Sequence, residues 1–335
     1  MNPSSLSSSQ QSSSPSTSSP KRLLITGASG CIGHYIVEAL LNDTPHELFL
    51  LVRQPQKLQF NLEAYPRAHI LQGSLTNITA FAELLATLDG AILVATAWGG
   101  NQDLYDINVR RNLQLMNLLD PDRCKQVIYF STASILDHQQ RPLPAAETLG
   151  TGYIRTKYQC HQRLRELAIY PRITTLFPTL VFGGDKDKPY SHISAGLADV
   201  IKWMGLIRFF KADGSFHFIH ARDIALVVRH LIDHSTPADP PKQYVLGNAC
   251  LTANQAIEAA CDYLGQRLYL RVPLSLWLAD VFIRLFRVRM AAWDRFCLHY
   301  RHFSYEHAVN PASFGLEPYC PSFEELLRVS GIPPG

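Results

Sequence analysis

Beyond a polar leader, the chain alternates short apolar runs with longer stretches in which apolar residues recur at helical spacing. The short runs are RLLITG, ELFLLVR, AHILQGS, GAILVAT, QVIYFST, RITTLFPTLVF and, much later, QYVLG. Helix candidates start between them near Ile32, Ile78, Asp103 and Tyr153, each long enough to cross back over a sheet in the right-handed sense. This rhythm predicts an α/β fold built on a doubly wound parallel sheet of about seven strands. It breaks after Gly183, where GGDKDKPYSH is polar and loop-like, and again after Leu251, where the chain turns mostly helical. We therefore expect a sheet domain over 21–183 with a returning strand near 243–247. A smaller, mainly helical lobe over 184–335 should interleave with the last sheet elements and cover the carboxyl edge, where open α/β sheets bind ligands.

Composition narrows the class. The chain has 335 residues, 47% of them apolar, enough for a sizeable core. Its 31 basic and 28 acidic side chains leave a net charge of +3, so no nucleic-acid partner is expected. Residues 1–20 are almost entirely Ser, Pro, Gln and Thr and read as a disordered tail. An organelle transit peptide is disfavoured because no basic residue precedes Lys21. Cys31, Cys124, Cys160, Cys250, Cys261, Cys297 and Cys320 are scattered with no CxxC pair, which fits a reducing, cytoplasmic setting rather than a disulfide framework. No transmembrane segment or secretory signal is expected.

The first strand runs into Gly27, Ala28, Ser29, Gly30, Cys31, Ile32 and Gly33, which open a helix. Glycines there allow a tight turn, close approach of backbone to a pyrophosphate, and close packing of helix on strand, with the helix N-terminus facing the anion. The strand before and the helix after supply the context that makes this a dinucleotide-binding loop and the sheet an NAD(P)-binding Rossmann fold. The second strand ends at Arg53, with Lys57 close behind. A basic residue there accommodates a 2′-phosphate, whereas an acidic one takes the ribose hydroxyls, so NADP(H) is favoured and NAD(H) is the alternative.

Tyr153 and Lys157 are four apart at a helix start, hence on one face one turn apart. An ammonium beside a phenol favours the phenolate, which lets the group exchange a proton near neutral pH. Thr132, ending the strand QVIYFST, offers a hydroxyl to the same pocket.

These motifs, in this order, resemble the extended short-chain dehydrogenase/reductase family, also called the NAD-dependent epimerase/dehydratase family, from Lys21 to about Leu327. The resemblance implies that Thr132, Tyr153 and Lys157 are catalytic, Lys157 also holding the nicotinamide ribose. It places Gly27, Ser29, Gly30, Cys31, Ile32, Gly33, Ser74, Leu75, Ala95 and Pro178 at the cofactor, and matches Asn108 to the Asn of the NVxGT segment, with Arg111 and Asn112 replacing its last two residues. Pro178 to Gly183 resembles the family's RPTxVFG strand, with Phe177 where Arg is usual, and His220 to Asp223 resembles its HVxD turn. Ser74 stands where an Asp usually contacts adenine.

Two departures concern the substrate. Nucleotide-sugar epimerases of the family use an Asn and an Arg to hold the diphosphate; those places here are Thr179 or Leu180, and Phe216. An apolar Phe216 cannot pair with a diphosphate, and the lobe is rich in apolar and aromatic residues, so the expected substrate is a small uncharged carbonyl or alcohol. The alternatives are a nucleotide-sugar epimerase or dehydratase with tightly bound NAD, and a non-catalytic cofactor-sensing or interaction protein. Segment 272–293 reads as a lobe helix packed on the core or on a second subunit of a homodimer, in preference to a basic amphipathic helix on a membrane surface. His299, His302 and His307 lack ligand spacing, so no metal is expected. There is also no GxSxG elbow for a hydrolase.

Overall fold

The protein is described from a computed structural model covering residues 19–99, 103–234, 241–285 and 289–335. All but the last two residues of the expected Ser-rich tail lie outside the described residues. The main sheet holds β1 (Arg22–Thr26), β2 (Glu47–Val52), β3 (Ala68–Gln72), β4 (Gly90–Leu93), β5 (Gln126–Phe130), β6 (Ile173–Pro178), β7 (Lys242–Leu246) and β8 (Ala308–Val309). Their order is β8-β7-β6-β5-β4-β1-β2-β3, and every neighbouring pair is parallel. The order reverses between β1 and β4, so the loops that follow these two strands part there and open a crevice at the carboxyl edge.

Both faces are covered. On one, Ile36, Val37 and Leu40 of α1 (Cys31–Asp43) pack with Ile224, Val227 and Val228 of α5 (Ala221–His234). On the other, Val109, Leu113 and Met116 join Cys160 and Leu164 around α2 (Asn112–Asn117) and α3 (Gly152–Arg163). Thr151 starts α3 by accepting a hydrogen bond from Ile154 N at 3.3 Å, which satisfies one of the amides a helix start leaves unpaired. A further apolar cluster, including Leu197, Ile257, Leu326 and Leu327, joins α4 (His192–Lys202), α6 (Ala253–Tyr263) and the C-terminal helix Phe323–Val329 into the lobe.

The structure corrects four expectations. An eighth strand, β8, pairs with β7; at two residues it is too short to show a periodic pattern. RITTLFPTLVF is not one strand: β6 ends at Pro178, and Leu180–Phe182 pairs instead with Phe218–His220. Near Asp103 the chain runs through a π-helical segment, Asp106–Arg111, before α2, and near Ile78 a 3-10 segment, Leu75–Phe81, precedes one α-turn. Segment 272–293 is not one packed helix; it contains α7 (Leu276–Leu285) and the start of α8 (Ala292–Tyr300), and Trp277 is 73% exposed. Among the described residues, no helix is long and apolar enough to cross a membrane.

Candidate active site at the carboxyl edge

The turn after β1 needs its glycines. Gly27 has φ +74°, and a Cβ there would lie 2.7 Å from Ala95 N, on the loop after β4. A Cβ on Gly33 would meet Gly27 O at 2.1 Å, so α1 can lie this close to the turn only without one. Gly30 caps α1 with no side chain, while Ser29 beside it is half-buried. The first amides of α1, at Cys31, Ile32 and Gly33, are among those a helix leaves without internal partners. A cradle lined by backbone, in which Gly27 and Gly33 leave no room for a side chain, fits a dinucleotide pyrophosphate at a helix N-terminus. Burial pushes the Cys31 thiol up to about 12, which makes it a packing group rather than a reactive one.

Arg53 and Lys57 are exposed beyond β2, and Arg53 makes no ion pair among the described residues. The Ser74 hydroxyl is engaged locally: it accepts from Thr76 N, while Ser74 N donates to Asn77 Oδ1 at 2.7 Å. Leu75 is buried in the core, and Ala95 N donates to Thr26 Oγ1 at 3.2 Å. Pro178 closes β6 opposite Leu246.

Thr132 follows β5, and its Oγ1 lies 3.4 Å from Ser134 Oγ. Tyr153, in the first turn of α3, reaches the same corner. Burial pushes its phenol above the usual tyrosine range, and a hydrogen bond with the Thr132 side chain opposes that shift. Lys157 is 2% exposed. Its Nζ donates to Phe130 O at 2.7 Å and sits 5.2 Å from the centre of the Tyr129 ring. Burial lowers its pKa to about 8. The lowering of the phenol expected from Lys157 is therefore not found: the ammonium is turned to the end of β5, and desolvation dominates at Tyr153.

Two residues escaped the sequence reading. Trp98, in the loop after β4, stacks on the Tyr153 ring at 3.9 Å between centroids and 18° between planes, and meets His192 of α4 edge-on at 4.7 Å. Ser134 sets a second hydroxyl beside Thr132. No sequence motif marked either, since an aromatic after a strand or a Ser in a turn is ordinary. Asn108 plays a supporting part: its Oδ1 accepts from Ala97 N at 2.7 Å and its Nδ2 donates to Thr156 Oγ1 at 3.0 Å, tying the loop after β4 to α3.

The profile of the NAD dependent epimerase/dehydratase family matches residues 23–247, most of the chain. The chain belongs to that family. Its members are oxidoreductase-type enzymes, and the Rossmann sheet is theirs. No curated protein matches this chain in sequence. Among solved structures, gox2253 superposes with a TM-score of 0.67 at 17% identity, covering 93% of this chain and 99% of that one. The dTDP-glucose 4,6-dehydratase DesIV of Streptomyces venezuelae, solved with NAD and TYD, gives 0.62 at 17% identity, covering 93% and 96%. UDP-N-acetylglucosamine 4-epimerase of Methanobrevibacter ruminantium M1, solved with UDP-N-acetylmuramic acid, gives 0.61 at 18% identity, covering 93% and 98%. At such identities the likeness is one of fold.

Proposed function

We propose that this family member moves hydride between a nicotinamide dinucleotide and an alcohol or carbonyl carbon, with Tyr153 as proton relay. The carrying observation is the meeting of Thr132 and Tyr153 at the carboxyl edge, with Lys157 buried one turn further along α3. A bound nicotinamide supplies or accepts the hydride. Thr132 and Tyr153 would both donate hydrogen bonds where charge develops on the substrate oxygen. A phenol is protonated at neutral pH, so Tyr153 holds the proton that the carbonyl oxygen takes, although the burial that raises its pKa makes it a weaker acid in the cofactor-free chain. An ammonium carries three donors, and Lys157 spends one on Phe130 O, leaving others for ribose hydroxyls. Gly27, Ser29, Gly30, Cys31, Ile32 and Gly33 would hold the pyrophosphate; Ser74, Leu75, Ala95 and Pro178 would line the cofactor. The exposed cation at Arg53 supports NADP(H).

The family and the solved neighbours favour the second reading, a nucleotide sugar with NAD held through the cycle. The residues at the diphosphate-holding places favour the first. Phe216 is half-buried against the lobe core, and Thr179 spends its hydroxyl on Leu246 O at 2.8 Å. We take the residues as the better guide to the substrate and propose a small uncharged carbonyl or alcohol.

The test follows NADPH oxidation with a panel of ketones and aldehydes, beside thermal shifts with UDP- and dTDP-sugars and a search for NAD released on denaturation. Tyr153→Phe should cut turnover by about 100-fold or more while leaving NADPH affinity within a few-fold. Full turnover in Tyr153→Phe would refute the relay. Released NAD with a sugar-nucleotide shift would establish the second reading, and turnover of either kind excludes a non-catalytic role.

A further inference from the structure

Charge on this chain is unevenly placed. Residues 199–211 and 267–295 together hold nine basic side chains against three acidic ones, whereas the rest of the chain holds twenty-two against twenty-five. The two segments meet at residues 208–211 and 267–274. Phe210–Lys211 pairs with Val272–Pro273, Val272 N donates to Phe209 O at 2.8 Å, and Leu274 N donates to Lys211 O at 2.8 Å. The Phe209 and Tyr269 rings stack at 5.8 Å with the Arg208 guanidinium over both, and Arg208 also donates to Arg267 O at 3.2 Å.

Large apolar side chains stand exposed on both segments. Trp203, Leu206, Leu270, Val272, Leu274 and Trp277 are all exposed, Leu270 by 93%. Lys211, Arg267, Arg289 and Arg295 stand exposed along the same segments, while Lys202 pairs with Asp199 at 2.8 Å and Arg271 with Glu258 at 2.9 Å. Large apolar side chains set among cations, two of them tryptophan, suit the boundary between headgroups and acyl chains, where indole rings and snorkelling cations both find partners. A second copy of the chain is a poorer occupant, because a two-fold contact would press two like-charged faces together.

We propose that this face docks on the surface of an anionic lipid bilayer, with Leu270 and Trp277 entering the apolar boundary and the cations meeting lipid phosphates. The inference stands apart from the chemistry at Tyr153, although α4 connects the two places, touching Trp98 at His192 and ending beside Trp203.

The full chain is floated with vesicles of phosphatidylcholine alone and of phosphatidylcholine mixed with phosphatidylglycerol, at low and raised salt, with its mass followed by light scattering. Binding should require phosphatidylglycerol and weaken as salt screens the cations. Arg267→Gln and Arg289→Gln should each weaken it about fivefold. Leu270→Ser with Trp277→Ser should weaken it tenfold or more, with the melting temperature unchanged because both side chains are exposed. No binding to phosphatidylglycerol vesicles, or binding indifferent to the Leu270→Ser/Trp277→Ser pair, overturns the proposal. So does a dimer that the pair dissociates in a chain that ignores vesicles, which would make the face an interface between copies.

Discussion

Lys157 is the buried cation of the candidate site. Its ammonium is buried, and its pKa lies near 8 in the folded chain, against about 10.4 for an unperturbed lysine. With the folded value the lower, the unfolded chain binds more protons between the two. The contribution of Lys157 to stability therefore rises as pH climbs from about 8 to about 10, and the burial cost is felt in full below that window. Lys157→Met removes the titration. In cofactor-free protein, the unfolding free energy of the wild type minus that of the variant should rise by roughly 3 kcal/mol across the window, as read by urea unfolding at a series of pH values. A flat difference would mean that the ammonium keeps its water. The positions of Thr132, Tyr153 and Lys157 were legible in the sequence because strand ends and helix turns fix where side chains emerge. The direction of the Tyr153 shift was not, because it depends on the desolvation of the site, and Trp98, which covers the ring, comes from a distant loop.

At the scale of elements, the loop after β4 and helix α3 are held in register by one amide. Asn108 is fully buried on the π-helical segment, where the wider turn leaves it facing Ala97 and Thr156. Asn108→Ala would strand Ala97 N and Ala97 O without their side-chain partner. That should cost roughly 2–4 kcal/mol in denaturant unfolding and loosen the stacking of Trp98 on Tyr153, read as a shift in tryptophan emission. An unchanged midpoint would show that water replaces the amide. The sequence signalled strands better than helices here. Strands β1, β2, β4, β5 and β6 are marked by apolar runs, since burial between two helical layers demands them, whereas β3 and β7 are only partly covered. The π segment and the 3-10 segment have no pattern of their own, because both are settled by what packs against them. The departure of Leu180 from the sheet is likewise a tertiary choice, made by pairing with Phe218.

At the scale of the whole molecule, the lobe is fastened to the sheet domain at the start of α5. Asp223 is fully buried, and its carboxylate accepts from Tyr319 N at 2.6 Å and from Cys320 N at 3.1 Å. Burial pushes its pKa up to about 6 although both amides favour the charged form. Asp223→Ala leaves two buried amides without an acceptor, so the C-terminal segment should detach first. We expect a loss of roughly 2–4 kcal/mol, with hydrogen exchange rising around residues 319–327 before it rises in β1 or β4. Uniform exchange would deny the clamp. The HARD turn was visible in the sequence, but its partner ninety-odd residues away was not, since nothing in YCPS announces a contact with Asp223.

The loop after β1 is the dinucleotide cradle on which the proposed chemistry depends, and a titration with NADPH and NADH, followed by nicotinamide fluorescence on the full chain and on Gly33→Ala, tests it most directly. We predict saturable binding, tighter for NADPH through Arg53, and none by Gly33→Ala, whose Cβ would strike Gly27 O. Equal or tighter binding of NADH would remove the role of Arg53. Failure of both nucleotides to bind the native chain, or unchanged binding by a folded Gly33→Ala, would contradict the cradle itself.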